Sequence, residues 1–508
     1  MEVSHYNLSG GINTSLTKTE LGLDTSKLYW SDSKNIEIYS NRGITKQKGN
    51  QLFYDLGNDE AITGLNEMNG QDRSKLLITT ISGKMYVYDD VSNNLSELEQ
   101  TLTGTDPRFV NFLNGTVVTT ESDGLFYVKE DSELGYEVVD CELKDYYEET
   151  VTGCVLGVYN GRIFAATGST IYYAALGSYN DFTTDGDAGY IRDFHTDTDD
   201  ITALKPYKDY LAIYKRHKVY LLSGVTEDDF TITAFADKGS YSSDAILNVE
   251  NKQYFLSNGI YALEQVGELN QIRLGSEITS NIKPLFTNFS NDSLEKSYAI
   301  HYEKRNQIWY FFKFIDDDYF HTIWIYDYVN KAWYKRVVPQ DLTCATLYND
   351  EVLSADSSGK IYKEDSGTTF NGDAISFYWQ SPFLAITKNY QRKTIDEFYF
   401  MLDNEYDNDF YFKVYKDYDN TYSDDAEHIY SIIEEHLYWD SENGVDYPYQ
   451  YWGADDSTTP IWSISKEATE KAEISESNYS IQIHVEGYEA TSSCTIIGLN
   501  FKEIYNDD

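Results

Sequence analysis

The 508-residue chain carries 84 Asp and Glu against 40 Lys and Arg, a formal net charge of −44, which excludes wrapping of a nucleic-acid backbone, because that needs a basic stripe to displace counterions. With 41 % apolar residues, 47 Tyr and 7 Pro, it can bury a large core and is not broadly disordered. Cys141, Cys154, Cys344 and Cys494 lack zinc-type spacing and read as unpaired thiols of a reducing cytosol, and the start MEVSHYNLSGG resembles no signal peptide, so a soluble chain made in the cytoplasm, with no membrane insertion, is expected.

Residues 1–55 read as an N-terminal lead-in segment holding a basic island, Lys34, Arg42, Lys46 and Lys48. The island fits an opening hairpin with solvated charges; docking of an acidic neighbour is the functional alternative. From 56 to 366 a phrase recurs: a short apolar strand, a Gly, Asn or charged turn, then a strand opening on an aromatic or β-branched residue. It turns around Gly83, Gly124, Gly168, His217, Gly259, Asn306 and Gly359, in steps of 41, 44, 49, 42, 47 and 53 residues. Such a period, with several short strands per unit, predicts a β-propeller of six to eight blades, seven favoured. Alternation as in Leu211, Ile213 and Lys218, Tyr220, Leu222 favours half-buried strands over helices.

Within the repeats, residues 315–336 look like an additional hairpin turning at Asn330. Residues 367–508 predict a C-terminal β-sandwich-like domain, in which ISFYWQSPF and TIDEFYFML pair with YSIQIHVEG and CTIIGLNFKEIY. Between them, about 403–474 reads as an acidic Tyr-rich insertion. Sixteen Asp and Glu, two Lys and ten Tyr fall between Asp403 and Asp456, a composition suited either to ordering against another protein through aromatic anchors or to a long solvated loop. Inside it, Ile429, Ile432, Ile433 and Leu437, with Asp424 as N-cap, predict a helix. His428 and His436 stand too far apart on that helix to share a metal.

Motifs of catalysis are missing. The chain has no GxSxG, P-loop, HExxH or strand-following GxGxxG. Ser15 and Lys18 form an SxxK pair without its companion motifs. SADSSGKIY at 354–362 resembles the Asp-box turn of propeller glycosidases, with Gly359 one residue late. The loop holding Asp185, Asp187, Asp193, Asp197, Asp199 and Asp200 offers hard oxygen ligands of the kind calcium takes, in a spacing that is not an EF-hand. No catalytic, cofactor-binding or metal-binding residue is assigned, no cofactor is implied, and a non-enzyme is expected.

Several phrases together resemble the tail hub or nozzle proteins of short-tailed bacteriophages, the tail tubular protein B-like and packaged-DNA stabilisation-like propellers. They are the opening Gly10, Gly11, Ile12 and Asn13, then Asn35 and Gly43, with Lys48 and Gly49 following. The resemblance continues in ITALKPYKDYLAIYKRHKVYLLSG, GSYSSDAILNVENKQYFLSNGIYAL, ITSNIKPLF and IWIYDYVNKAWYKR, and closes with SGKIYKEDSGTTFNGDAISFYWQSPF before Lys388 and Arg392. It covers residues 8–400 as a pattern, and the acidic stretch from 403 departs from it.

The resemblance implies a structural virion protein, a homo-oligomer of six copies below the portal and its adaptor ring in the head–tail connector complex. It would continue the DNA channel, help retain packaged DNA before ejection, and anchor a distal needle, spike or fibre set. Genomic DNA would pass its lumen without sequence-specific binding, and an acidic wall suits such sliding; acidity that simply keeps a Tyr-rich surface in solution explains the charge equally well. Two other classes stay open: a tail-associated propeller glycosidase, and a receptor-binding or scaffold propeller.

Overall fold

The computed structural model describes residues 2–5, 7–17, 20–21, 26–131, 135–192, 198–266, 271–315, 317–384, 393–403, 407–417, 427–431, 467–472 and 476–505. The chain forms two compact units, one of residues 49–328 and 337–371 and one of residues 1–48, 329–336 and 372–508.

The first unit is a seven-bladed β-propeller. Blade 1 is an antiparallel sheet of Ile62–Met68, Lys75–Thr80, Lys84–Asp89 and Asn94–Thr101. Blades 2, 3, 4 and 5 repeat that order over 108–140, 155–191, 201–236 and 247–274. Blade 6 contributes Tyr298–Tyr302, Gln307–Phe311 and Thr322–Asp327 to this unit. In blade 7, Leu342–Tyr348, Glu351–Asp356 and Lys360–Glu364 are completed by Asn50–Asp55, from the opposite end of the unit's sequence.

Each blade is too thin to bury both faces alone, and the cores lie between blades. Leu77, Met85 and Val87 of blade 1 share a cluster with Val118 and Val128 of blade 2. Further clusters join blade 2 to 3, blade 3 to 4 and blade 4 to 5. Leu353, Ala355 and Ile361 of blade 7 pack with Ile62, Leu76 and Ile78 of blade 1, which closes the ring.

The recurrent phrase marks the turn between second and third strands in six blades, at Gly83, Gly124, Gly168, His217, Gly259 and Gly359. Gly83 shows why the turn is constrained: its φ is +81°, and a Cβ there would meet the Leu102 carbonyl oxygen at 1.9 Å. Asn306 differs, because it turns between the first two strands of blade 6 in the left-handed region, φ 55°. Correspondingly, the hairpin expected as an addition over 315–336 is a correction: Thr322–Asp327 is an ordinary third blade strand, hydrogen-bonded to Gln307–Phe311.

The second unit is a β-sandwich. One sheet runs Ile36–Tyr39, Gly43–Lys46, Thr495–Tyr505, Lys393–Asp403 and Glu467–Ala472, with Glu2–His5 and Glu476–Asn478 pairing alongside. The other runs Asp32–Lys34, Phe377–Gln380, Ile481–Gly487, Asn408–Lys416 and Glu427–Ser431. Phe398 and Phe400 of the first sheet meet Phe410 and Phe412 of the second, with ring centroids 4.9–5.5 Å apart.

Sequence boundaries at 55 and 367 set the lead-in segment apart from the C-terminal domain, whereas residues 1–48 fold with 372–508. The reason is pairing: Glu2–His5 and Ile44–Thr45 both find partners on Thr495–Tyr505. The acidic tract also begins as sandwich, because Asn408–Lys416 buries Asn408, Phe410, Phe412 and Val414 on alternate positions. The helix expected around His428 is a correction, since Glu427–Ser431 is a strand paired with 408–412. Residues 418–426 and 432–466, with Asp424, Ile432, Ile433, His436 and Leu437, lie outside the described residues.

Candidate functional site

The innermost strands of the blades surround an axial cavity of about 820 Å³. Its wall is built from the starts of those strands and the loops that lead into them, so each blade presents a few residues to one space. Five carboxylates line it, Asp106, Asp200, Asp244, Asp292 and Glu295, together with Arg108, Lys205, Arg216 and Lys296. Much of this charge is internally matched. Arg108 stands 3.4 Å from Asp106 and Lys296 lies 3.2 Å from Asp292, while Arg216 pairs with Glu295. Arg108 also donates to the Gly153 and Cys154 carbonyls at 3.3 Å, which fixes its head across the step from blade 2 to blade 3.

Asp106 is electrostatically the most distinctive of these groups. Its side chain is 65 % exposed to the cavity, yet the enclosing wall raises its carboxyl above the ordinary value; Arg108 opposes the shift, while Asp244 and Glu121 add to it. At its far end the wall reaches His301 and Leu347, which also line a second hollow of about 300 Å³ with Glu303, Lys304 and Asp350. Burial lowers the His301 pKa, favouring the neutral ring. Of these residues only Asp200 was singled out by sequence, and as a calcium ligand rather than as part of a ring wall, because the common signal, a polar residue just ahead of an innermost strand, becomes visible only once blade register is known.

Asp200 apart, the described residues that sequence did single out make structural contacts. In the basic island, Lys34 donates to Ser376 at 2.8 Å and Lys46 to the Ser492 carbonyl at 2.6 Å, and burial lowers both lysine pKa values. Lys48 offers its carbonyl to buried Arg336 at 2.5 Å, and Arg42 its carbonyl to Leu8. Ile36–Tyr39 and Gly43–Lys46 form the expected hairpin.

In the acidic loop, Asp187 is held by Arg162, 3 % exposed, through a 2.5 Å ion pair. Arg162 also reaches the Asp187, Ala174 and Val225 carbonyls, so its donors bind protein. Asp193 and Asp197 lie outside the described residues. Among the described residues no group of three or more His, Cys, Asp or Glu could hold a metal ion.

The Asp-box-like phrase is a turn clamp. Asp356 accepts from Ser358 N and Lys360 N at 2.8 and 3.0 Å and from the Tyr362 hydroxyl at 2.9 Å, an arrangement that ties the turn of blade 7 and presents no reacting group. Ser15 donates its amide to Asn13 Oδ1, and Lys18 is outside the described residues. His428 sits 2.6 Å from Asp409 and stacks on Tyr411. All four cysteines are unpaired and buried; burial pushes Cys141, Cys154 and Cys344 up to about 12, far from nucleophilic.

Residues of the opening phrase pack closely with distant parts of the sandwich unit. Gly11 has φ +68° and a Cβ there would meet Trp333 N at 2.7 Å, while a Cβ on Gly10 would meet the Leu28 carbonyl oxygen at 2.3 Å. Ile12 N donates to the Trp333 carbonyl at 2.7 Å. Asn13 Oδ1 accepts from Ser15 N and Leu16 N, and Asn35, φ 53°, donates its side-chain amide to the Ser376 carbonyl.

No protein-family model and no curated protein matches the chain. Among solved structures, the Neurospora crassa Pan2 WD40 domain aligns over 64 % of this chain and 96 % of its own, at 10 % identity and TM-score 0.40. A chain of a mitotic checkpoint complex aligns over 65 % and 94 %, at 11 % identity and TM-score 0.36. The computationally designed Ika8 protein aligns over 62 % and 99 %, at 12 % identity and TM-score 0.36. The propeller assignment rests on the seven sheets and their closure, and these likenesses concern fold alone.

Proposed function

We propose that the chain is a non-enzymatic structural protein of a short-tailed phage virion, a tail hub or nozzle that assembles as a ring below the portal and adaptor and continues the DNA channel. The observation that carries the reading is the opening Gly10-Gly11-Ile12-Asn13 phrase, at the head of the pattern running to residue 400. Its glycines sit where close backbone approach excludes a side chain and its asparagine accepts the amides of the following turn, so the phrase is a packing motif, and its place at the head of the pattern supports the reading. The charge of −44 supports a conduit, since a wall poor in Lys and Arg lets a polyanion pass without adhesion. The portal and adaptor on one side and a needle, spike or fibre set on the other are the partners of this reading, and the virion tail is its location.

Cryo-electron microscopy of the protein mixed with its portal and adaptor tests it. A closed ring of six copies around an acidic lumen is the expected result; monomers or peripheral copies would overturn it.

A second reading, a tail-associated glycan-degrading propeller, draws on Asp106 in the axial cavity, whose raised pKa suits a proton donor. Turnover of host surface glycan, lost in Asp106→Asn with the fold intact, would establish it in place of the first.

A further inference from the structure

An outer blade strand presents its free edge to solvent, and native proteins guard such edges with charge, brevity, proline or a covering segment. The propeller does so in most blades. The outer strand of blade 1, Asn94–Thr101, carries Glu97 and Glu99, and that of blade 2, Gly135–Asp140, carries Glu137 and Asp140. In blade 3 the outer strand is three residues, Gly189–Ile191, and in blade 5 it is four, Gln271–Leu274, with Arg273 inside it. In blade 7 the outer strand Asn50–Asp55 is met on its far side by Phe370.

Blade 4 has neither charge nor proline inside its outer strand and guards it with a bulge at Phe235, near the strand's end. Its outer strand, Thr231–Ala236, reads TITAFA, six residues with no charge and no proline, and it ends its sheet. Thr231, Thr233 and Ala234 are exposed. The strand pairs in regular register with Tyr220–Ser223 from Thr231 to Ala234, a bulge at Phe235 shifts the pairing before Ala236, and Ile232 packs on the core between blades 3 and 4 while Phe235 packs on that between blades 4 and 5. Over Thr231–Ala234 this neutral, β-prone edge is a template for one more strand, because its outward amides and carbonyls are held in regular register by the strand behind it, and the bulge at Phe235 ends the template.

Charge at its two ends defines what would pair there. Glu227, Asp228 and Asp229 precede the strand and Asp237 follows it. Two cations stand near its far end: Lys238 is engaged with the Tyr261 hydroxyl at 2.9 Å, and Lys218, next to Val219 opposite Ala236, is engaged as well. A second copy of this chain would bring the same acids together end to end, whereas a segment with a neutral centre and basic ends would match both the edge and its flanks.

We propose that the edge of Thr231–Ala234 is a β-augmentation site for an extended segment of a partner protein, neutral and β-branched over its central residues and flanked by Lys or Arg. The site is independent of the ring reading, since it needs only the folded blade.

The test uses the full chain and three labelled peptides, KKTVTVTVKK, KKTVPVPVKK and EETVTVTVEE, read by fluorescence anisotropy and by hydrogen exchange. The first is expected to bind and to slow exchange at 231–234. The proline peptide, of equal charge but unable to complete a ladder, and the acidic peptide should each bind at least about tenfold more weakly. Thr233→Lys, and Thr231→Lys as a second variant should the first fail to fold, should weaken the first peptide by a similar factor with the melting temperature unchanged. Equal binding of the two basic peptides, unchanged binding by a folded lysine variant, or no binding at all would overturn the proposal. So would a dimer of the unliganded protein that either lysine variant dissolves, which would make a second copy the occupant.

Discussion

Gly11 sits where the backbone leaves no alternative, with φ at +68° and Trp333 N, the Ala332 methyl and the Trp333 carbonyl oxygen all within 2.8 Å of where a Cβ would stand. Left-handed backbone alone costs a non-glycine residue roughly 1–3 kcal/mol, and here the Cβ also displaces main chain that accepts the Ile12 amide. Gly11→Ala is therefore expected to destabilise the sandwich by at least about 2 kcal/mol, read as a lower denaturation midpoint in tryptophan fluorescence. An unchanged midpoint would show that the phrase is not a packing motif. At this scale the sequence displayed the motif but not its cause: Gly10 and Gly11 were visible, whereas Trp333, more than three hundred positions later, could be joined to them only through the folded chain. The axial carboxylates were less legible still, since Asp106, Asp200 and Asp244 belong to unrelated local phrases and converge through ring geometry.

Elements were legible wherever local pattern and tertiary role agreed. Tight second-to-third strand turns recur because each blade needs the same reversal, and six of the seven turn phrases fall on them. In blade 6 that connection is long, running from Phe312 to His321, and the compact Asn306 turn one strand earlier carried the signal instead. The segment around Ile429 shows the opposite conflict, in which helical spacing of isoleucines yields to pairing with a strand whose Phe410 and Phe412 are fully buried. Ring closure follows the same logic of long-range pairing. Asn50 donates to buried Glu364 at 3.0 Å, Ser354 reaches the same oxygen at 2.7 Å, and Phe53 and Tyr54 contact Tyr88 of blade 1. A fragment of residues 49–371 keeps this strand and is expected to fold with a cooperative melt. A fragment of residues 57–371 loses the outer strand of blade 7 and, with it, the Asn50 hydrogen bond to Glu364, about 1–3 kcal/mol for that contact alone, and is expected to melt far lower or to aggregate through the open edge. Equal melting of the two fragments would show that closure does not depend on Asn50–Asp55.

On the scale of the whole molecule, a charge of −44 sets attraction and repulsion against each other in ways that salt and acid separate. Self-repulsion among unpaired carboxylates opposes the compact state and is screened as the Debye length falls from about 30 Å at 0.01 M to about 10 Å at 0.1 M. Exposed ion pairs such as Lys84–Glu97 and Lys129–Glu137 lose little by the same screening, because such pairs contribute little at the outset. The melting temperature is therefore expected to rise by several degrees over that salt range, and a fall would mean that attractive pairs outweigh repulsion. Acid acts in the other direction through particular groups. Burial pushes the Asp123 carboxyl up, but hydrogen bonds from Thr120, Thr103 and Gly104 outweigh it and hold the pKa below its ordinary value. Glu121 is lowered in the same way against burial by the amides of Thr105 and Asp106, and Glu277 by Lys283, Thr279 and Tyr261. A carboxyl whose folded pKa lies below its unfolded one contributes stability that is complete above the unfolded value, here 3.8 for Asp and 4.5 for Glu, and that drains away as pH falls through the folded value. Calorimetry from pH 7 downward is expected to show a melting temperature that collapses below about pH 4, with Asp123→Asn flattening part of that slope, since the clasp on residues 103–104 would no longer depend on an ionised group.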